Sequence, residues 1–146
     1  MFKQLIVFVE NRPGRLEEVT GCLADEQINL HALTIADTTD FGILRMIVSD
    51  PDKAERALKA KGFMVKTTDV VAVAMGHDPG SLHQVLRTLR MMDISIEYIY
   101  AFTSRPTAYG AIVVLRLENQ DAALDKLKGA DIQLLGPDFL HCLNEV

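Results

Sequence analysis

The chain has 146 residues, 49% of them apolar and 24% charged, with a formal net charge of −5 at pH 7. This is an ordinary globular composition and excludes intrinsic disorder, which needs low hydrophobicity together with high charge. The acidic balance, without any basic run, argues against nucleic acid or an anionic membrane as the main partner, and the longest apolar runs, 5–9 and 111–115, fall far short of the roughly 20 residues that span a bilayer.

Residues 3–10 read as a strand from their Val, Ile and Phe content. Pro13-Gly14 follows as a turn, and Leu16, Val19 and Leu23 then recur at the spacing of one buried helix stripe. Residues 30–37 and 42–49 read as two strands joined through Thr38-Thr39-Asp40-Phe41. Asp50-Pro51-Asp52 opens a second helix, a cap followed by proline at the first helical position, with Ala54, Ala57 and Leu58 facing inward. A strand over 63–68 closes the unit. The plan then starts again with a strand over 70–75, Pro79-Gly80, and a helix carrying Leu82, Val85, Leu86 and Leu89. Strands over 96–102 and 110–117 flank Ser104-Arg105-Pro106, a short helix turns Ala123, Leu124 and Leu127 inward, and a strand covers 132–135. The leftover Phe139-Leu140-His141-Cys142-Leu143 reads as one further strand.

The constant offset that takes Pro13-Gly14 to Pro79-Gly80 also takes Leu16, Val19 and Leu23 to Leu82, Val85 and Leu89, and Ile28-Asn29-Leu30 to Ile94-Ser95-Ile96. Phe41-Gly42 matches Tyr109-Gly110, with two extra residues in the second hairpin. The fold class is therefore α+β: two ferredoxin-like βαββαβ modules in tandem, 1–69 and 70–146, the second with an extra C-terminal strand. Each has an antiparallel sheet with its helices on one face, so its strands should alternate apolar and polar. The runs 5–9, 70–75 and 111–115 do not alternate, so something besides the helices is expected to cover the sheets: the other repeat, the tail strand, or a second chain in a homodimer.

The loop Glu10-Asn11-Arg12-Pro13-Gly14-Arg15-Leu16 is the most informative local feature. Proline fixes φ, glycine can take φ > 0 and lets a ligand approach the backbone, and the helix that follows begins with unpaired N–H groups at the positive end of its dipole. Such a turn suits a free carboxylate. Asn11 adds a donor and an acceptor, and backbone carbonyls near Asn29-Leu30 could receive an ammonium, so an α-amino acid would satisfy both ends. A Pro-Gly pair in this place can equally do no more than turn the chain, and spacing does not separate the two readings.

Asn11-Arg12-Pro13-Gly14 with Leu16, Val19, Leu23 and Ile28-Asn29-Leu30 resembles the opening motif of the ACT domain family, the regulatory amino-acid-binding modules of metabolic enzymes. His77-Asp78-Pro79-Gly80 through Ile94-Ser95-Ile96 resembles it more loosely, and together the two copies look like a stand-alone tandem ACT protein with no enzyme domain of its own. The resemblance implies a small effector, an amino acid above all, bound near this loop between modules that pair side by side or face to face, and signalling through that pairing or through a partner enzyme of amino-acid metabolism. It points to Asn11, Pro13, Gly14, Arg15, Leu16, Asn29 and Leu30 as one ligand set, and to His77, Asp78, Pro79, Gly80, Ser81, Leu82 and Ser95 as a second. The second departs from the family pattern: His77 stands where Asp or Asn is usual, and Asp78 sets a negative charge beside a site expected to take a carboxylate. Either that pocket binds differently or it does not bind. The alternative to ligand sensing is a regulatory or structural subunit of such an enzyme with no ligand of its own.

No nucleophile elbow, phosphate-binding glycine loop, HExxH or catalytic carboxylate pair is visible, so no enzyme activity and no cofactor are expected. His77, Asp78 and His83 lack a recognised metal-ligand spacing, and no metal is expected. Ferredoxin-like folds also host RNA binders, but the basic and aromatic strand pattern those use is missing. Met1-Phe2-Lys3-Gln4 opens no signal peptide, and Cys22 and Cys142 stand alone, which together suggest a cytoplasmic protein with reduced, packed thiols. His31 reads as a half-exposed strand residue, and Arg45 and Arg116 as side chains that face solvent or pair with a carboxylate.

Overall fold

The computed structural model describes residues 1–37, 40–103 and 109–140. In chain order the elements are β1 (Phe2–Glu10), α1 (Arg15–Asp25), β2 (Leu30–Asp37), β3 (Phe41–Val48), α2 (Pro51–Ala60), β4 (Met64–Met75), α3 (Ser81–Met91), β5 (Ile96–Ala101), β6 (Ala111–Leu117), α4 (Gln120–Leu127) and β7 (Gln133–Leu135). The chain divides into two compact units, one built on Lys3–Thr68 and the other on Asp69–Phe139.

In the first unit the strand order is β2-β3-β1-β4, with β3 antiparallel to both neighbours. β1 and β2 therefore run in the same direction, and α1 carries the chain back between them. Leu5, Val7 and Val9 of β1 and Leu44, Met46 and Val48 of β3 point to one face, where they pack with Val19, Cys22 and Leu23 of α1 and Ala54 and Leu58 of α2. In the second unit the order is β5-β6-β4-β7, all antiparallel, and the corresponding core holds Val71, Val73, Val85, Leu89, Leu115 and Leu127.

The repeat reaches down to individual hydrogen bonds. Gly14 and Gly80 precede α1 and α3 with φ of 88° and 92°. Gln27 and Asp93, both at φ 55°, end those helices, and Ile28 N–H and Ile94 N–H reach back to the carbonyls of Leu23 and Leu89, the six-to-one bond of a left-handed helix stop. Lys53 of α2 donates to the Glu26 carbonyl at 2.7 Å, and Lys126 of α4 donates to the Met92 carbonyl at 2.9 Å. In both units a lysine from the second helix thus meets the negative end of the first.

Four expectations change. β4 is one continuous strand where two were expected, because Thr67, Thr68, Val70 and Val71 are β-branched and nothing in 64–75 breaks an extended chain. The hairpin match moves by one residue: Val9 faces Gly42 while its repeat partner Met75 faces Ala111, so the counterpart of Gly42 is Ala111 and that of Phe41 is Gly110. Leu16 and Leu82 are not in the buried stripes, since they sit in the first turns of their helices, ahead of the sheet. The tail is not extended at its start. Residues 138–140 are helical, with Pro137 fixing the turn and Phe139 N–H donating to the Gly136 carbonyl at 3.1 Å. Phe139 packs edge-on against Phe102 and Tyr109. His141, Cys142 and Leu143, like Thr38-Thr39 and Ser104-Arg105-Pro106, lie outside the described residues.

The second sheet faces also resolve. Val70, Ala72 and Ala74 of β4 and Ile112 and Val114 of β6 are all at most 5% exposed within the single chain. Covering that face needs no second chain. Ile6, Phe8 and Ile43 of the first unit are half-buried. No described helix is long and apolar enough to cross a membrane.

Candidate functional site

The residues between β1 and α1 form the wall of a small cavity. Asn11 N–H donates to the Asp40 carbonyl at 3.2 Å, which fastens the loop to the β2–β3 hairpin, and Arg12 N–H folds back onto the Glu10 carbonyl at 2.8 Å. Gly14 takes the left-handed conformation, so the loop turns into α1 without a side-chain cap. The first intrahelical bond runs from Glu18 N–H to the Gly14 carbonyl, and Arg15 N–H closes the turn onto the Arg12 carbonyl at 3.4 Å, which leaves the Leu16 and Glu17 amides without an intrahelical partner.

Val9, Glu10, Asn11, Arg12, Arg15, Leu16, Ile35, Asp37 and Gly42 line the cavity, whose volume is about 260 Å³. It lies below the roughly 300–1,000 Å³ typical of sites for drug-sized molecules and so suits a small metabolite. One side is apolar: Leu16 and Ile35 remain 39% and 49% exposed at its edge. Gly42 makes the position of Ile35 possible, because a Cβ there would come within 2.9 Å of the Ile35 Cδ1.

The polar side carries two cations that are already matched. Arg12 Nε lies 2.9 Å from Glu10 Oε2, and Arg15 pairs with Glu18 while its guanidinium stacks 4.3 Å above the Phe63 ring. Asp37 differs. Its carboxylate accepts one hydrogen bond, from Asn11 Nδ2 at 3.4 Å, and no basic side chain among the described residues pairs with it. The cavity thus presents an unmatched negative charge next to helix amides and an aliphatic wall.

Of the first expected ligand set, Asn11, Arg15 and Leu16 line this cavity, and Pro13 and Gly14 shape the turn behind it. Asn29 and Leu30 do not join them. They begin β2, which runs parallel to β1, so they lie at the opposite end of the sheet. The Asn29 carbonyl is also taken, accepting Ser49 N–H at 2.9 Å. The other end of the same strand lines the cavity instead, through Ile35 and Asp37. Following the direction of β2 through the βαβ crossover would have found both. Glu10 and Arg12, which belong to the same loop but not to the expected ligand set, line the cavity as well.

The second set is scattered. Ser81 lines a shallow groove of about 490 Å³ between α3 and residues 131–133, whereas Ser95 lies at the far end of its sheet, its carbonyl accepting Glu118 N–H at 3.0 Å. His77, Asp78, Pro79, Gly80 and Leu82 line neither that groove nor the first cavity.

The remaining singletons have structural roles. His31 is buried, not half-exposed, because a bulge between Leu30 and Ala32 turns it inward. Arg116 pairs with Glu97 at 3.5 Å and donates to the Asp69 carbonyl at 2.7 Å. Cys22 is a free thiol in the core, and burial pushes its pKa up, which makes it a poor nucleophile.

The fold and its repeated loops define a tandem of two βαββαβ modules, and comparison with known proteins gives the family. The chain belongs to the ACT domain pair family, whose sequence model matches residues 1–140. It is similar to protein BT0572 from Bacteroides thetaiotaomicron at 48% identity, with a TM-score of 0.86 over 95% of this chain and 94% of that one. It is also similar to the regulatory subunit of aspartate kinase from Thermus thermophilus in its ligand-free form, at 17% identity and a TM-score of 0.62 over 88% and 91% of the two chains. The corresponding subunit from Thermus flavus gives 17% identity and a TM-score of 0.57 over 88% and 92%. At those identities the likeness concerns the fold. No curated protein matches the chain.

Proposed function

We propose that this protein is a regulatory module that binds a neutral amino acid with an aliphatic side chain in the cavity at the first Pro-Gly loop. The observation that carries the reading is the Asp37 carboxylate, which has no cationic partner among the described residues, set beside an uncapped helix start and the Leu16–Ile35 wall. An ammonium matches Asp37, a carboxylate matches the first-turn amides of α1, and the aliphatic wall takes the side chain. An acidic or basic side chain fits poorly, since Arg12 and Arg15 already have carboxylate partners. Residues 1–69 and 70–146 are the two ACT modules. Two copies of the chain pair, and the bound amino acid alters that pairing or the grip on an enzyme of amino-acid metabolism. Likeness in fold to aspartate kinase regulatory subunits supports an enzyme of this kind as the partner.

The test is a thermal-shift screen of the proteinogenic L-amino acids against the whole chain. A ligand at about 100 times its Kd adds about 2.7 kcal/mol to the folded state, so an aliphatic amino acid should raise the midpoint and glutamate or lysine should not. Asp37→Asn should weaken the binding about tenfold or more, as expected for losing a charge-assisted bond of about 1.5–3 kcal/mol. Silence across the panel, together with co-purification of an enzyme, would instead favour a subunit without a ligand.

A further inference from the structure

The two Pro-Gly loops share a backbone plan, and Leu16 has its match in Leu82, but the other loop positions that line the first cavity differ. We infer that the second loop is filled by its own residues, with Asp78 as the internal anion, so that each chain takes one effector molecule, at the first loop. The inference rests on the ligand reading above and adds its stoichiometry and the residues that set it.

Two substitutions in the hairpin that faces the loop act in the same direction. Gly110 stands where the first unit has Phe41. A Cβ at Gly110 would lie 2.6 Å from His77 N and 3.0 Å from the Gly76 carbonyl carbon, so the loop backbone occupies space that any side chain would need. Phe41 holds the matching position in the first unit, where Glu10 faces it and Asn11 N–H reaches the Asp40 carbonyl at 3.2 Å, so that loop accommodates a side chain for which the second has no room. Ala111 replaces Gly42 itself, adding a methyl group where the first cavity has none.

The charges follow the same course. Gly76 and Asp78 replace Glu10 and Arg12, so the ion pair at the mouth of the first cavity has no equivalent. Instead Ser81 Oγ and Asp78 Oδ2 lie over Gly76, 3.0 and 3.4 Å from where its Cβ would be. Ser81 is the first residue of α3, which has no side-chain cap. A carboxylate belonging to the chain thus stands before a helix start that favours negative charge. An incoming carboxylate would meet that charge with no arginine of the loop itself to offset it, since Asp78 and Ser81 stand where the first loop has Arg12 and Arg15.

Amide spectra of the ¹⁵N-labelled whole chain, titrated with the proteinogenic L-amino acids as probes, read both loops at once. Saturable shifts are expected at 10–16 and 35–42 and not at 76–82; saturable shifts at both loops would overturn the inference. A ligand-free arm compares Gly110→Ala with Gly129→Ala, where a Cβ meets open space. Gly110→Ala should lower the unfolding midpoint by several degrees relative to that control. Equal midpoints would mean that the second loop is not closed. If no probe shifts either loop, the ligand reading fails, and the comparison of midpoints still decides whether the loop is shut.

Discussion

Gly14 and Gly80 show how little of the chain is needed to build this loop. A Cβ at either would meet nothing within 4 Å, so the requirement for glycine there is conformational and not steric. An L-residue in the left-handed region costs about 1–2 kcal/mol, and Gly14→Ala should therefore lower stability by that amount, measured by urea unfolding with an unchanged m-value. Asp37 makes the opposite point. Nothing in its immediate sequence marks it, and it becomes conspicuous only when the strand it ends is laid beside the loop that begins at Asn11.

Elements repeat more faithfully than residues do. The helix stops at Gln27 and Asp93, the lysine ties from α2 and α4, and the amides of Ser49 and Glu118 on the carbonyls of Asn29 and Ser95 all recur although few of the side chains match. Backbone geometry demands these contacts, and many side chains can supply them. The caps are where the copies part. Asp50 Oδ1 accepts Lys53 N–H at 3.0 Å at the start of α2, whereas α4 begins at Asn119, in the left-handed region, with no side-chain cap. Asp50→Ala should cost about 1 kcal/mol, seen as a lower unfolding midpoint, and Asn119→Gly should cost nothing or stabilise slightly, because glycine relieves the positive φ.

For the whole molecule, the burial of Val70, Ala72, Ala74, Ile112 and Val114 changes the meaning of the unbroken apolar runs. Those runs in β4 and β6 are core on both faces of a single chain, so they carry no argument for pairing between chains. The dimer we propose rests on kinship with the ACT family and on the half-buried Ile6, Phe8 and Ile43. Sedimentation equilibrium at micromolar concentration should give the mass of two chains, and a monomer mass would refute that assembly.

The sequence by itself determined the repeat, the order of elements in each copy, the turn residues and the inward stripes of the helices, because periodicity and turn chemistry are local properties of the chain. It also exposed the doubt about the second loop through the charge of Asp78. Strand direction, pairing register and the closeness of non-neighbouring backbones were decided by the tertiary structure alone. Those three put Asp37 rather than Asn29 at the mouth of the first cavity, set Ala111 opposite Met75, and pressed residues 76–77 onto Gly110. Each depends on which distant segments meet, and a one-residue slip in register, which local patterning does not detect in strands apolar on both faces, is enough to change which side chains share a site.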